Sequence, residues 1–442
     1  MKRTIGLAGL LCICALADAQ PLWKAGVAKS AITPGEPIWM AGFASRTKPS
    51  EGVRQDIYTR ALALQDAAGT TVVIVTIDLA AIGRQMADQI ATEFKARYGL
   101  SRDRVVMNIS HTHSGPVTDL KPMPLYGLTP AQRDAVSRHT REIIRKTVGV
   151  VGTAIERLAP STIVFEQGLA GIAVNRRRVG RRALPGPVDH DVPVLAVRNA
   201  SGALTAVVVG YACHATMLND YLISNDWPGY ALEAIEKKHT GATALFIQGC
   251  GADSNAFPRA GEDLARQRGE MLAAAVELVL AGRMRPLSGP LRTAFEHVDV
   301  TFEKFFTREE LEKKLQDKVP AFRTTARYLL GILERDGKFP DRYPYPVQVW
   351  QFGSGLKFIA LGGEVVVDYS LRLKGQYGFD DTWVAGYSND ILGYIPSRRV
   401  LQEGGYEGGE ALIYFGHGGR FAPTVEDVII QKVSDLVART TH

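Results

Sequence analysis

The sequence is poor in cysteine. Four in 442 residues are far too few for a disulfide-stapled scaffold. Outside the first twenty or so residues there is no apolar run long enough to span a bilayer as a helix, which excludes a polytopic membrane protein of that kind. Internal repeats, low-complexity tracts and long Pro/Gly/Ser linkers are also lacking, so solenoids and strings of modules are excluded. With 46% hydrophobic and 22% charged residues the composition is that of an ordinary globular chain, neither disordered, collagenous nor coiled-coil. The charge excess is small, +6, with a pI near 9.0. Its clearest cluster is Arg176, Arg177, Arg178, Arg181 and Arg182, with no zinc-finger spacing or RNA-binding signature nearby, so no nucleic-acid partner is expected. Peripheral contact with an anionic membrane surface suits the same basic balance.

The amino terminus has the features of a secretory signal. Lys2 and Arg3 precede an apolar stretch from Ile5 to Leu16, and Ala17-Asp18-Ala19 offers small residues where a signal peptidase cuts. The expected arrangement is a cleaved signal over 1–19 and one catalytic-sized domain over 20–442, exported to the periplasm or beyond. Cleavage would remove Cys12 and Cys14. Cys213 and Cys250 remain, as a pair or as two buried thiols.

The pattern along the chain predicts an α/β fold, a mixed β-sheet core with flanking helices in a single large domain. Strands are expected over 72–77, 105–109, 206–210 and 244–247, and two more around Gly353-Ser354-Gly355 within 347–361. Helices are expected over 84–98, 131–158, 229–238, 262–280 and 308–335, the last broken at Pro320, with a closing helix from Thr424 to about Thr440. Strands that run into loops opening on helices gather functional groups at their carboxyl ends.

Four places carry chemistry. Asn108-Ile-Ser-His111-Thr-His113-Ser-Gly-Pro116 follows a strand and offers two imidazoles two residues apart, which suits one metal ligand and a neighbour, or two ligands. Cys213-His214 ends another apolar strand, with Asp220, Asn225 and Asp226 downstream as candidates to orient the imidazole. Gln248-Gly-Cys-Gly-Ala-Asp-Ser254-Asn is a glycine-rich loop after a strand. It lacks the Walker Lys-Ser/Thr and the GxGxxG spacing, so it is expected to position an oxyanion or a hydroxyl rather than a nucleotide. Near the carboxyl end, Glu364 follows an apolar strand, and Tyr387, Tyr394 and Tyr406 lie in a glycine-rich stretch. Two histidines and a glutamate are a well-attested zinc set for hydrolysis of peptide-like bonds. The residues alone support an exported metallohydrolase.

These motifs, in this order, resemble the catalytic domain of the neutral/alkaline ceramidases. The likeness runs from Gly26-Val-Ala-Lys-Ser-Ala-Ile-Thr-Pro34 and Met40-Ala-Gly-Phe43 through Ser110-His-Thr-His-Ser-Gly-Pro116 and Val174-Asn-Arg176. It continues with His214-Ala-Thr-Met, Gly251-Ala-Asp-Ser254, Gly363-Glu364 and Tyr406-Glu-Gly-Gly. The resemblance implies hydrolysis of the amide of ceramide by a zinc-activated water, with His111, His214, Glu364 and Tyr394 as ligands. It implies His113 as general base or hydrogen-bonding partner, Arg176 and Tyr406 on the carbonyl or developing oxyanion, and Ser254 as a positioning hydroxyl rather than the nucleophile. The chain departs from the family around Ser254, after Glu364, at Ile391 where the family has a tyrosine, and in stopping at His442 without room for the family's immunoglobulin-like domain. The expected substrate is therefore ceramide or a related N-acyl lipid. The rivals are another N-acyl or ester substrate on the same scaffold, or a non-catalytic lipid- or glycan-binding relative. The 305–345 region is expected to pack as core, with a wall of an acyl-chain groove as the alternative.

Overall fold

The computed structural model describes residues 23–118, 124–178 and 186–441. The expected signal sequence with Cys12 and Cys14, and Arg181 and Arg182 of the basic cluster, lie outside the described residues. Two β-sheets packed face to face form the centre. The larger has nine strands, running in order from Thr243–Gln248 through Leu204–Tyr211, Asp191–Asn199, Ala159–Leu169, Trp23–Ala31, Tyr58–Asp66 and Thr71–Ile77 to Val105–Ile109, with Arg285–Pro286 added on Ala159–Leu169. Its inner pairings are antiparallel, and the last pairing at each end is parallel. The second sheet runs Thr382–Ala385, Leu356–Leu361, Arg342–Phe352, Leu291–Glu303, Arg420–Phe421.

Alternation along the strands sorts the side chains into layers. Leu62, Leu64, Ile74, Val106 and Val208 turn inward from the larger sheet onto Trp350, Phe352, Phe358 and Trp383 of the smaller one. The opposite face of the larger sheet is covered by helices Arg84–Tyr98 and Pro130–Glu156 on one half, and Asp226–Lys238 and Glu262–Ala281 on the other. Helices Val367–Tyr377 and Val425–Thr441 cover the outer face of the smaller sheet. The result is a single domain with a mixed-sheet core and flanking helices, as the sequence pattern predicts. The glycine of the first motif has a packing role. A Cβ on Gly26 would lie 2.1 Å from the carbonyl oxygen of Ala154, so only glycine lets helix Pro130–Glu156 sit this close to the strand.

The larger sheet curls until its two end strands meet. Asn108 on one end strand accepts from the Gln248 backbone N–H on the other at 2.8 Å. Its amide nitrogen donates to the Gly386 carbonyl at 2.8 Å and to Ser388 Oγ at 3.1 Å. One side chain thus ties together the two ends of the larger sheet and the loop leaving the smaller one. The loops that follow these strands carry the functional residues.

The 308–336 region folds as two helices, Arg308–Lys314 and Pro320–Asp336, with Pro320 at the start of the second. The break falls where the sequence places it. The pair has its own small core of Leu311, Ala326, Leu329, Ile332 and Phe339, joined by Ile413.

Candidate metal centre

His111 sits two residues past the end strand Val105–Ile109 in a left-handed conformation, φ 57°. That conformation costs a non-glycine residue on the order of 1–3 kcal/mol. It is held by Ser110 Oγ donating to Asn225 Oδ1 at 2.6 Å and by His111 Nδ1 at 2.6 Å from the Ala80 carbonyl. His214, just past strand Leu204–Tyr211, which pairs with the other end strand, has Nδ1 2.8 Å from the Gly251 carbonyl. Each carbonyl requires its imidazole to carry the proton on Nδ1, which leaves both Nε2 atoms as lone-pair donors. The Gly251 carbonyl, not Asp220, Asn225 or Asp226, orients His214. Asp220 pairs with Arg54, Asn225 takes the Ser110 hydroxyl, and Asp226 accepts from the Leu218 and Trp227 backbone N–H groups.

Glu364 Oε2 lies 3.2 Å from both His111 Nε2 and His214 Nε2. The Tyr394 hydroxyl is 3.4 Å from His214 Nε2, and Glu364 and Tyr394 are opposite one another in a short parallel pairing. His113 Nε2 is 3.1 Å from His111 Nε2. Ligand atoms of His111, His113 and His214 all lie within 4.8 Å of one another, so the three can hold a metal ion. Lone pairs of two imidazoles and a carboxylate facing one another across 3.2 Å repel unless a cation lies among them. Nitrogen and oxygen donors of this kind, with His111 and His214 each steered by a carbonyl at Nδ1, fit zinc.

Burial, with the Arg176 charge next, lowers the His214 pKa to about 4. Burial also drives His113 well below the usual imidazole range, helped by His111 and His214. Burial pushes the Glu364 carboxyl up, but His111 and His214 outweigh it and hold it well below its ordinary value. The Tyr394 phenol is pushed up by burial and by Glu364, while Arg176 pulls the other way.

These groups form one end of a cavity of about 260 Å³, with His111, His113, Glu364 and Tyr394 at its polar end. Phe43, Leu125, Tyr126, Ile391, Tyr414 and Phe415 make its apolar walls. Tyr406 also lines it and is 44% exposed, its ring 5.2 Å from that of Tyr394. Arg176 stands behind these two rings. It donates to Tyr394 at 3.2 Å through Nη2 and to Glu407 at 2.7 Å through Nε. Arg176, Arg177 and Arg178 of the basic cluster are therefore turned into ion pairs within the fold. Arg177 binds Glu407 and Glu403, and Arg178 binds Glu403.

The glycine-rich loop differs from expectation. Its N–H groups at Gly249, Gly251, Ala252 and Ser254 all donate to backbone carbonyls, so they form no anion cradle. The Ser254 hydroxyl is buried with no hydrogen-bond partner, and its carbonyl accepts from His214 N–H. Neighbouring Asp253 is committed to Asn175 and to the Val367 N–H. Cys213 and Cys250 are both buried free thiols whose pKa burial raises.

Several residues that matter here were given no role from sequence. Glu407 fixes Arg176, and its only signal was its place in the Tyr-Glu-Gly-Gly motif. Tyr387, φ 48°, packs its ring 4.6 Å from that of His111. Arg46 is buried and donates to the His113 carbonyl at 2.6 Å and the Asp220 carbonyl at 2.9 Å. Gly42, φ 97°, lies so close that a Cβ would fall 2.4 Å from His113 Cγ. No local pattern marks Arg46, and the sequence marks Tyr387 only as one of three tyrosines in a glycine-rich stretch, because its partner His111 is distant in the chain.

Fold and site together define a two-sheet α/β protein with a buried, metal-capable histidine cluster at the end of an apolar cavity. Residues 23–314 match the model of the neutral/alkaline non-lysosomal ceramidase N-terminal domain, and the chain belongs to that family. It is 24% identical over 252 residues to neutral ceramidase of Drosophila pseudoobscura pseudoobscura, covering 53% of this chain and 34% of the relative. It is 25% identical over 226 residues to neutral ceramidase A of Dictyostelium discoideum, covering 48% and 31%. The matched region spans about a third of these curated relatives. The crystal structure of neutral ceramidase from Pseudomonas aeruginosa superposes with a TM-score of 0.77 at 20% identity, covering 96% of this chain and 75% of that one.

Proposed function

We propose that the protein is an exported zinc-dependent amidohydrolase that cleaves the amide of N-acylsphingosine, or a related N-acyl lipid, with water. The observation that carries this reading is the meeting of two Nε2 lone pairs and one carboxylate at the end of an apolar-walled cavity. Membership of the ceramidase family supports the substrate class, and the names of its relatives support the amide bond.

His111, His214, Glu364 and Tyr394 would hold the zinc. When bound, it lowers the pKa of a water to about 7 and polarises the amide carbonyl. The chain's own groups then divide the work. His113 lies beside His111 on the cavity wall and accepts the proton released as the carbon–oxygen bond forms. It returns that proton to the leaving amine as the carbon–nitrogen bond breaks. Tyr406, at the rim, orients the amide through its hydroxyl. Arg176 acts through Tyr394, donating to its oxygen and opposing the rise in its pKa, and Glu407 keeps Arg176 in place. Among the described residues Ser254 Oγ has no hydrogen-bond partner to serve as its base, which supports an activated water rather than Ser254 as the nucleophile.

The test is fatty-acid release from an N-acylsphingosine by the purified protein, with and without a chelator, alongside metal analysis. Chelator-sensitive release and about one zinc per chain are expected, both lost in His111→Ala and Glu364→Ala. Activity that survives complete metal removal refutes the mechanism. One observation favours a second reading. The cavity, about 260 Å³, is smaller than the roughly 300–1,000 Å³ of sites that enclose a drug-sized ligand. A two-chain lipid would leave its tails outside, whereas a short N-acyl amide would be enclosed. A series of acyl-chain lengths separates the two.

A further inference from the structure

The elbow between helices Arg308–Lys314 and Pro320–Asp336 stands beside the mouth of the cavity. Phe322 stacks on Tyr414, a cavity-wall residue, with ring centroids 5.3 Å apart. Thr324 Oγ1 reaches the carbonyl of Leu125, another wall residue, at 3.4 Å. From 313 to 327 the elbow carries Lys313, Lys314, Lys318, Arg323 and Arg327 against the single anion Asp317. Among the described residues none of the five is in an ion pair, whereas Arg308 and Glu334 of the same helices do pair, at 3.9 Å. Lys314 instead lies over the rings of Phe306 and Phe322, and Arg323 donates to the Asp317 and Lys318 carbonyls. Asp317 caps the Val319 N–H. Lys313, Lys318 and Arg327 are exposed, and between them Val319 is 40% exposed beside exposed Pro320. An apolar tip ringed by unpaired cations is poorly matched to water alone. It is well matched to a bilayer surface that offers both anionic headgroups and hydrocarbon.

We propose that this elbow is the surface by which the protein docks on anionic lipid bilayers, holding the mouth of the cavity at the interface from which an N-acyl lipid would enter. The proposal rests on the lipid-amide reading for its purpose, but docking can be measured without turnover. The purified protein is sedimented with vesicles of phosphatidylcholine containing phosphatidylglycerol, and with vesicles of phosphatidylcholine alone. Each cation near an anionic surface contributes about a fivefold gain in partitioning. Lys313→Gln/Lys318→Gln/Arg327→Gln should therefore weaken binding to the anionic vesicles about a hundredfold, with hydrolysis of a water-soluble short-chain N-acyl substrate unchanged. Each single substitution should weaken binding about fivefold, which keeps the test available if the triple variant is unstable. Equal binding of wild type and variants, or no preference of the wild type for anionic vesicles, overturns the proposal. Normal charge-dependent docking by a protein that hydrolyses no N-acyl lipid supports the surface and refutes the proposed activity instead.

Discussion

Glu407 offers the sharpest test of how the site is supported. It touches none of the proposed zinc ligands. One carboxylate oxygen accepts from Arg176 at 2.7 Å and the other from Arg177 at 2.6 Å, and only Arg176 reaches Tyr394. In Glu407→Ala the Arg176 guanidinium loses its anchor, a charge-assisted bond worth about 1.5–3 kcal/mol. Removing one partner of a fully buried ion pair costs about 3–5 kcal/mol, but the Arg176 side chain is 19% exposed and water recovers part of that. The stability loss should thus be about 2 kcal/mol, small enough for the fold to survive. The loss at the metal should be larger in proportion, because a released Arg176 no longer donates to the Tyr394 oxygen or opposes the rise in its pKa. Outer partners of metal ligands typically contribute about 10–100-fold to metal affinity or activity. The assay is zinc affinity by chelator competition, with kcat measured on zinc-saturated enzyme. Glu407→Gln, which keeps one acceptor but turns an amide N–H₂ toward an arginine, should fall between wild type and alanine. Zinc affinity and kcat both within twofold of wild type in the alanine variant would refute the chain from Glu407 through Arg176 to Tyr394.

Gly42→Ala should displace His113, since the new Cβ meets its ring at 2.4 Å and the backbone is left-handed. A fall in kcat of about 10²-fold with zinc content retained is expected, and a change below threefold would remove His113 from the chemistry. Ser254→Ala deletes a buried hydroxyl that has no partner, so stability should hold and activity should fall by less than about 10²-fold. A near-total loss would restore serine as nucleophile. Glu403, bound by Arg178, Arg177 and Arg399, has its pKa lowered to about 2 although partial burial works against this. A depressed acid stabilises the fold above its unfolded pKa near 4.3 and loses that stabilisation as pH falls toward about 2. Glu403→Gln should therefore melt below wild type at neutral pH, with the gap closing in acid. A gap that persists undiminished at pH 2 contradicts the assignment.

Local pattern made much of the fold legible. The helix over 84–98 and the strand over 105–109 fall at the residues the apolar periodicity marks, and the break at Pro320 follows from proline's missing N–H. The histidines, Glu364 and the tyrosines were visible as unusual residues at strand ends. The roles read from neighbouring sequence fared worse. Asp220, Asn225 and Asp226 lie within a dozen residues of His214, yet its proton is fixed by the Gly251 carbonyl, and the glycine-rich loop spends its Gly249, Gly251, Ala252 and Ser254 N–H groups on backbone carbonyls.

The reason lies in the range of the interactions. Strand and helix propensities act over a few residues, so the sequence by itself determined which segments are strands and helices and which reactive side chains stand at their ends. Their convergence did not depend on any local signal. His111 and His214 meet because a nine-stranded sheet curls far enough for Asn108 to bond to Gln248, 140 residues away. Glu364 joins them because it follows strand Leu356–Leu361 of the second sheet, and a separate short parallel pairing sets it opposite Tyr394. Which nitrogen of each imidazole is bare, and which arginine backs the tyrosine, were decided only when distant carbonyls and carboxylates closed around them.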